Sequence, residues 1–105
     1  MHDRDRGIAR EFREMLASRV PLVDMRVFGS RAREDAEPGS DMDIFVEVSE
    51  ATPAVREAIA DAAWEVGIKH LLHISPLVFS REEIENSPLH FSPVVRNIMK
   101  EGVVV

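Results

Sequence analysis

The sequence predicts an α/β (α+β) fold, a small mixed β-sheet of three to four strands with helices packed mainly on one face. Two patterns carry this. Apolar residues recur at helical spacing over 4–19 and 53–66, and short segments rich in Val, Ile, Leu and Phe lie between and after them at 22–28, 41–48 and 69–79. With 105 residues the chain can bury one modest core, so a single domain over 1–105 is expected.

Ile8, Phe12, Met15 and Leu16 mark an amphipathic first helix that Pro21 ends. Leu22–Phe28 then reads as a strand running into Gly29-Ser30, with a short helix expected over Arg31 to Asp35. The turn residues Pro38-Gly39-Ser40 lead into a second strand from Asp41 to Val48. Alternation puts Asp41, Asp43, Phe45 and Glu47 on one face and Met42, Ile44, Val46 and Val48 on the other, the core face.

Thr52 is the expected N-cap of a helix with Pro53 at its first position. Val55, Ile59, Ala62, Ala63 and Val66 form its buried stripe, Gly67 is expected to close it, and Trp64, off the stripe's centre, reads as a half-buried packing residue. Lys69 to Phe79 is the expected third strand, and Pro76, which cannot donate to a ladder, places it at an edge or bulge. Ser80 and Glu83 form a capping box for a short acidic helix that Asn86-Ser87-Pro88 breaks. A last helix starts at Ser92 or Pro93, carries Val94, Val95, Ile98 and Met99, and closes at Gly102. The apolar tail Val103–Val105 is expected to add a short strand or to pack against a partner, including a second copy in a homo-oligomer.

The chemistry concentrates in residues 26–47. A strand that turns through Gly29-Ser30 into a helix start offers free backbone donors, and glycine lets an anion approach closely, so phosphate is the natural guest. Ser30 adds a hydroxyl. Asp41 and Asp43, at i and i+2, share a strand face roughly 7 Å apart. Hard divalent cations bind through one or two such carboxylates together with nucleotide phosphates, so both features predict one ligand, a metal-bound nucleotide.

These residues resemble the minimal nucleotidyltransferases of the DNA polymerase beta-like superfamily. The resemblance rests on Gly29-Ser30-Arg31-Ala32-Arg33 followed by Ser40-Asp41-Met42-Asp43. It implies that Gly29 and Ser30 hold the outer phosphates of an NTP, ATP foremost, with Arg31, Arg33 and Ser40 beside them. It also implies that Asp41 and Asp43 are the catalytic aspartates and bind Mg²⁺ or Mn²⁺. The family commonly carries glycine where this chain has Glu34, and a third carboxylate on a later strand, where Ser75 stands here. Serine cannot replace a carboxylate. His73, on the same strand face as Ser75, and Glu47, on the aspartate face, are the candidate substitutes. Neither His70 nor His90 has motif spacing.

The activity so implied is metal-dependent transfer of a nucleoside monophosphate to an acceptor, which could be a partner protein. Such small domains commonly work beside a helical toxin-type protein. The alternative is therefore a catalytically weak, nucleotide-binding antitoxin-type partner.

Composition narrows the setting. A net charge of −6 argues against general nucleic-acid binding, and the absence of cysteine excludes disulfides and thiolate chemistry. No apolar run reaches the length of a membrane span and the N-terminus lacks a secretory apolar stretch, so a cytoplasmic protein is expected.

Overall fold

The structure is a computed structural model that describes residues 1–88 and 92–105; His90 lies outside them. Its elements are α1 (Asp3–Arg19), β1 (Leu22–Phe28), α2 (Ser30–Arg33), β2 (Met42–Val48), α3 (Pro53–His70), β3 (Ile74–Ser80), α4 (Arg81–Asn86), α5 (Pro93–Glu101) and β4 (Val103–Val104). The sheet runs in the order β3-β2-β1-β4, with β2 antiparallel to β1 and parallel to β3. It is the expected mixed α+β sheet. A parallel pair needs a long crossover, and α3 supplies it.

Met25 and Val27 of β1 and Met42, Ile44, Val46 and Val48 of β2 form one sheet face. Ile8, Phe12 and Leu16 of α1 and Ile59, Ala62 and Val66 of α3 pack onto it. Each such large side chain stabilises the fold by about 1.5–3 kcal/mol when fully buried. Arg31 also ties α1 to the site loop, since its guanidinium pairs with buried Asp5 at 2.9 Å.

The opposite face carries Arg26, Phe28, Asp43, Phe45, Glu47 and Ser75. It is not left open. Phe45 is fully buried with its ring 5.8 Å from that of Phe79, and α5 lies over β1, where Arg26 Nη1 donates to the Met99 carbonyl at 3.1 Å. Thus the two long helices share one face, as expected, while α5 covers part of the other through Val95 and Ile98.

Three expectations are corrected. Gly67 does not close α3, which runs on to His70 and is closed by Leu71 in the left-handed region at φ 52°. Glycine is required at 67 for space, because a Cβ there would sit 2.5 Å from the Leu72 carbonyl oxygen. The third strand accordingly starts at Ile74, not Lys69. Trp64 is 69% exposed rather than half-buried, because it borders an open groove between α3 and the edge strand β3.

Pro76 does lie on an edge strand. The tail takes the first of its two expected uses: Val103 and Val104 pair with Val27 and Arg26, and Arg13 donates to the Val105 carbonyl at 2.8 Å. No helix among the described residues is long and apolar enough to cross a membrane.

Candidate active site

β1 delivers the chain to Gly29, whose backbone sits at φ 75° and ψ −157°. A Cβ at this position would lie 2.6 Å from Asp43 Oδ2. Only glycine lets the turn and the carboxylate approach so closely. Ser30 opens α2, and its hydroxyl makes no capping bond and no other hydrogen bond among the described residues. Backbone amides in the first turn of a helix have no partner within the helix, so free donors and an unbonded hydroxyl stand next in sequence to the glycine that abuts Asp43.

Glu34 closes α2 at φ 62°, the left-handed conformation for which glycine is the usual residue. Its carboxylate pairs with the Met1 ammonium, which holds its pKa below the ordinary glutamate value.

Asp43 lies in β2 and Asp41 immediately precedes it. Burial, and secondarily the charge of Asp41, raise the Asp43 carboxyl above the ordinary aspartate range, with Arg33 and His73 opposing. Burial and the neighbouring Asp41 charge both disfavour the ionised Asp43, a condition that a divalent cation relieves. His73 Nδ1 lies 3.3 Å from Asp41 Oδ1, and its carbonyl accepts from the Met42 amide at 2.9 Å. Ser75 is the ladder neighbour of Asp43 on β3, one strand spacing away and on the same face. No group of three or more His, Cys, Asp or Glu side chains among the described residues is arranged to hold a metal. The two aspartates still suit one, because Mg²⁺ characteristically takes one or two carboxylates and fills its remaining positions with phosphate oxygens and water.

The remaining candidates divide. Arg33 stays exposed, 3.2 Å from Asp35, with its charge felt at Asp43. Arg31 turns inward, so that its guanidinium donates to Asp5 Oδ1 at 2.9 Å and to the Ser40 carbonyl at 2.7 and 3.0 Å. Ser40 in turn donates its hydroxyl to the Glu37 carbonyl at 2.7 Å. Both brace the loop that enters β2. Glu47 sits roughly 13 Å along β2 from Asp43, beyond Phe45 and opposite Asp24. It is buried, and that burial, followed by the charge of Asp24, raises its pKa. Sequence reasoning missed Asp5, whose link to Arg31 spans 26 residues and leaves no local signal. It also gave the 94–97–101 side of α5 no role, although this side borders the Gly29 turn.

A family model for the nucleotidyltransferase domain matches residues 9–105. The chain belongs to the nucleotidyltransferase domain family. Among solved structures, a candidate nucleotidyltransferase from Sulfolobus solfataricus has a similar fold: 23% identity, a TM-score of 0.53, and coverage of 93% of this chain and 76% of that one. No curated protein matches. As a nucleotidyltransferase domain the chain has the general activity of nucleotidyl transfer, with an NTP as substrate and divalent metal as the family's usual cofactor.

Proposed function

We propose that the site formed by Gly29, Ser30, Asp41 and Asp43 transfers a nucleoside monophosphate from a Mg²⁺- or Mn²⁺-bound NTP to an acceptor hydroxyl. The observation that carries this reading is the contact between the Gly29 turn and Asp43, which puts phosphate donors and metal-type carboxylates against one another. Asp41 and Asp43 would hold the metal, which supplies charge neutralisation and polarisation of the phosphates. Ser30 and the turn amides bind the outer phosphates, and Arg33 offsets their charge. The acceptor oxygen bonds to the α-phosphorus, the α–β bridging bond breaks, and pyrophosphate leaves with the electron pair. His73 is the side chain beside the aspartates able to take the acceptor proton, since Ser75 provides no carboxylate and Glu47 is distant.

Calorimetry with ATP, GTP, CTP and UTP tests the binding half. Nucleotide is expected to bind with Mg²⁺, and Asp41→Asn combined with Asp43→Asn to abolish the metal dependence. Unchanged binding in that double variant would refute the metal assignment. Transfer is followed with labelled NTP: Ser75→Asp is expected to raise the rate at least about tenfold, a fraction of the roughly 10²–10⁴-fold that a well-positioned base contributes.

A second reading, a weakly active nucleotide-binding partner of a helical toxin-type protein, is favoured by one feature. Trp64, Ile68 and Leu71 stand exposed around a largely apolar groove of about 410 Å³ between α3 and β3. Such a surface suits an amphipathic helix. NTP binding without pyrophosphate release, in the parent chain and in Ser75→Asp alike, would favour this reading over the first.

A further inference from the structure

A second groove, about 290 Å³, opens between the Gly29 turn and α5. Phe28, Ala32, Val94 and Ile98 supply apolar walls, while Arg33, Asn97 and Glu101 supply the polar groups. Gly29 lines this groove and also abuts Asp43, so the groove is continuous with the proposed phosphate site. Residues 94, 97, 98 and 101 follow i, i+3, i+4, i+7 spacing, so a single side of α5 faces the turn. No ion pair or side-chain hydrogen bond engages Asn97 or Glu101 among the described residues, which leaves their polar atoms available. A mainly apolar groove with a few polar groups, beside a phosphate site, fits the heterocycle of the same nucleotide.

With Arg33 paired to Asp35 at 3.2 Å and assigned to the phosphates, Asn97 and Glu101 narrow which base. Asn97 offers an amide donor and an acceptor, and the carboxylate of Glu101 offers acceptors. They lie four residues apart on one helix, roughly 6 Å between Cβ atoms. Guanine is the one common base whose Watson–Crick edge places two adjacent donors, N1–H and the N2 amino group, next to an acceptor, O6. A carboxylate takes both donors and the amide N–H reaches O6. Adenine and cytosine would turn a ring-nitrogen lone pair toward the carboxylate, and uracil offers a single donor between two acceptors.

We infer that the α5 groove is the base site of this nucleotidyltransferase and that Glu101 and Asn97 select guanine, so that the preferred donor is GTP. This rests on the phosphate and metal reading above, and inorganic tripolyphosphate separates the two. Titrations with Mg²⁺ and GTP, ITP, ATP, CTP, UTP or tripolyphosphate are made on the parent chain, Glu101→Gln and Asn97→Ala. GTP is expected to bind roughly tenfold or more tightly than ATP, CTP and UTP, with ITP, lacking the N2 amino group, in between. Glu101→Gln is expected to remove most of that preference and leave tripolyphosphate binding unchanged. Both side chains are exposed on a helix surface, so neither variant threatens the fold. Val94→Trp, which fills the groove mouth, is expected to weaken every NTP relative to tripolyphosphate. Equal affinity for all four NTPs, or a preference indifferent to Glu101 and Asn97, would overturn the base assignment while the phosphate site stands. Failure of tripolyphosphate and every NTP to bind would overturn both.

Discussion

Ser30 separates two roles that one hydroxyl can play. A serine at a helix start often caps the helix, and losing a cap costs roughly 1 kcal/mol. Here Gly29 occupies the cap position and Ser30 makes no capping bond. Ser30→Ala is therefore expected to leave thermal stability within about 0.5 kcal/mol of the parent. It is also expected to weaken Mg²⁺-NTP binding several-fold in calorimetry; the reverse pattern would make the hydroxyl structural. Glu47 gives a prediction in pH. Its folded pKa is raised by burial and then by Asp24, so the folded state holds the proton more tightly than the unfolded chain. Stability then falls as pH rises from the unfolded value through the folded one, and the loss is complete above it. Glu47→Gln should melt at higher temperature than the parent at pH 8, and at an equal temperature near pH 3.5. A lower melting temperature at pH 8 would mean that the ionised carboxylate is stabilised by Arg26 and Arg81 after all.

In α3, propensity and packing oppose one another at Gly67. Replacing a mid-helix glycine by alanine gains about 1 kcal/mol by propensity alone. A methyl 2.5 Å from the backbone oxygen of Leu72 cannot be absorbed by a side-chain rotation, and overpacking of this kind costs about 1–3 kcal/mol. The clash prevails. Gly67→Ala is expected to lower the urea midpoint, and a raised midpoint would show that the α3–β3 connection yields freely. The same position explains a limit of the sequence. Gly67 carries the signature of a helix terminator, yet its function is to let the chain return beneath α3, while Leu71 ends the helix with no local signal for a left-handed conformation. By contrast β1, the start of α3 at Thr52, the Ser80–Glu83 capping box and α5 match their patterns, because period and capping chemistry are local.

Across the molecule, the grouping of the candidate site residues was legible where neighbours in sequence are neighbours in space. Gly29, Ser30, Asp41 and Asp43 lie at or just beyond the adjacent ends of two strands that pair antiparallel, and Ser75 falls beside Asp43 because alternation fixes register once β3 is set parallel to β2. Arg31 shows the opposite case. It reads as one more phosphate-facing cation in a basic run, but its partners are Asp5 on α1 and the Ser40 carbonyl. Nothing local distinguishes Arg31 from Arg33, one buried and the other exposed. Exposure of Trp64 was likewise illegible, since an aromatic beside a buried stripe usually joins the core.

The strand order also has a kinetic consequence. Closing β1 on β2 spans a short connection, whereas docking β3 requires the whole of α3 to form and cross over, and β4 comes from the far end of the chain. Short closures cost less entropy and occur sooner. The segment bearing the turn and both aspartates is thus expected to be the folding nucleus, with the strand carrying Ser75 added late. Stopped-flow chevrons on Val27→Ala and Val78→Ala test this order: the first should mainly slow folding, the second mainly speed unfolding. The exchanged pattern would put the nucleus at the crossover. With the expected one, substitutions around Ser75 can reshape the chemistry after the nucleus has formed, which leaves the strand with the atypical serine the freest of the three long strands to vary.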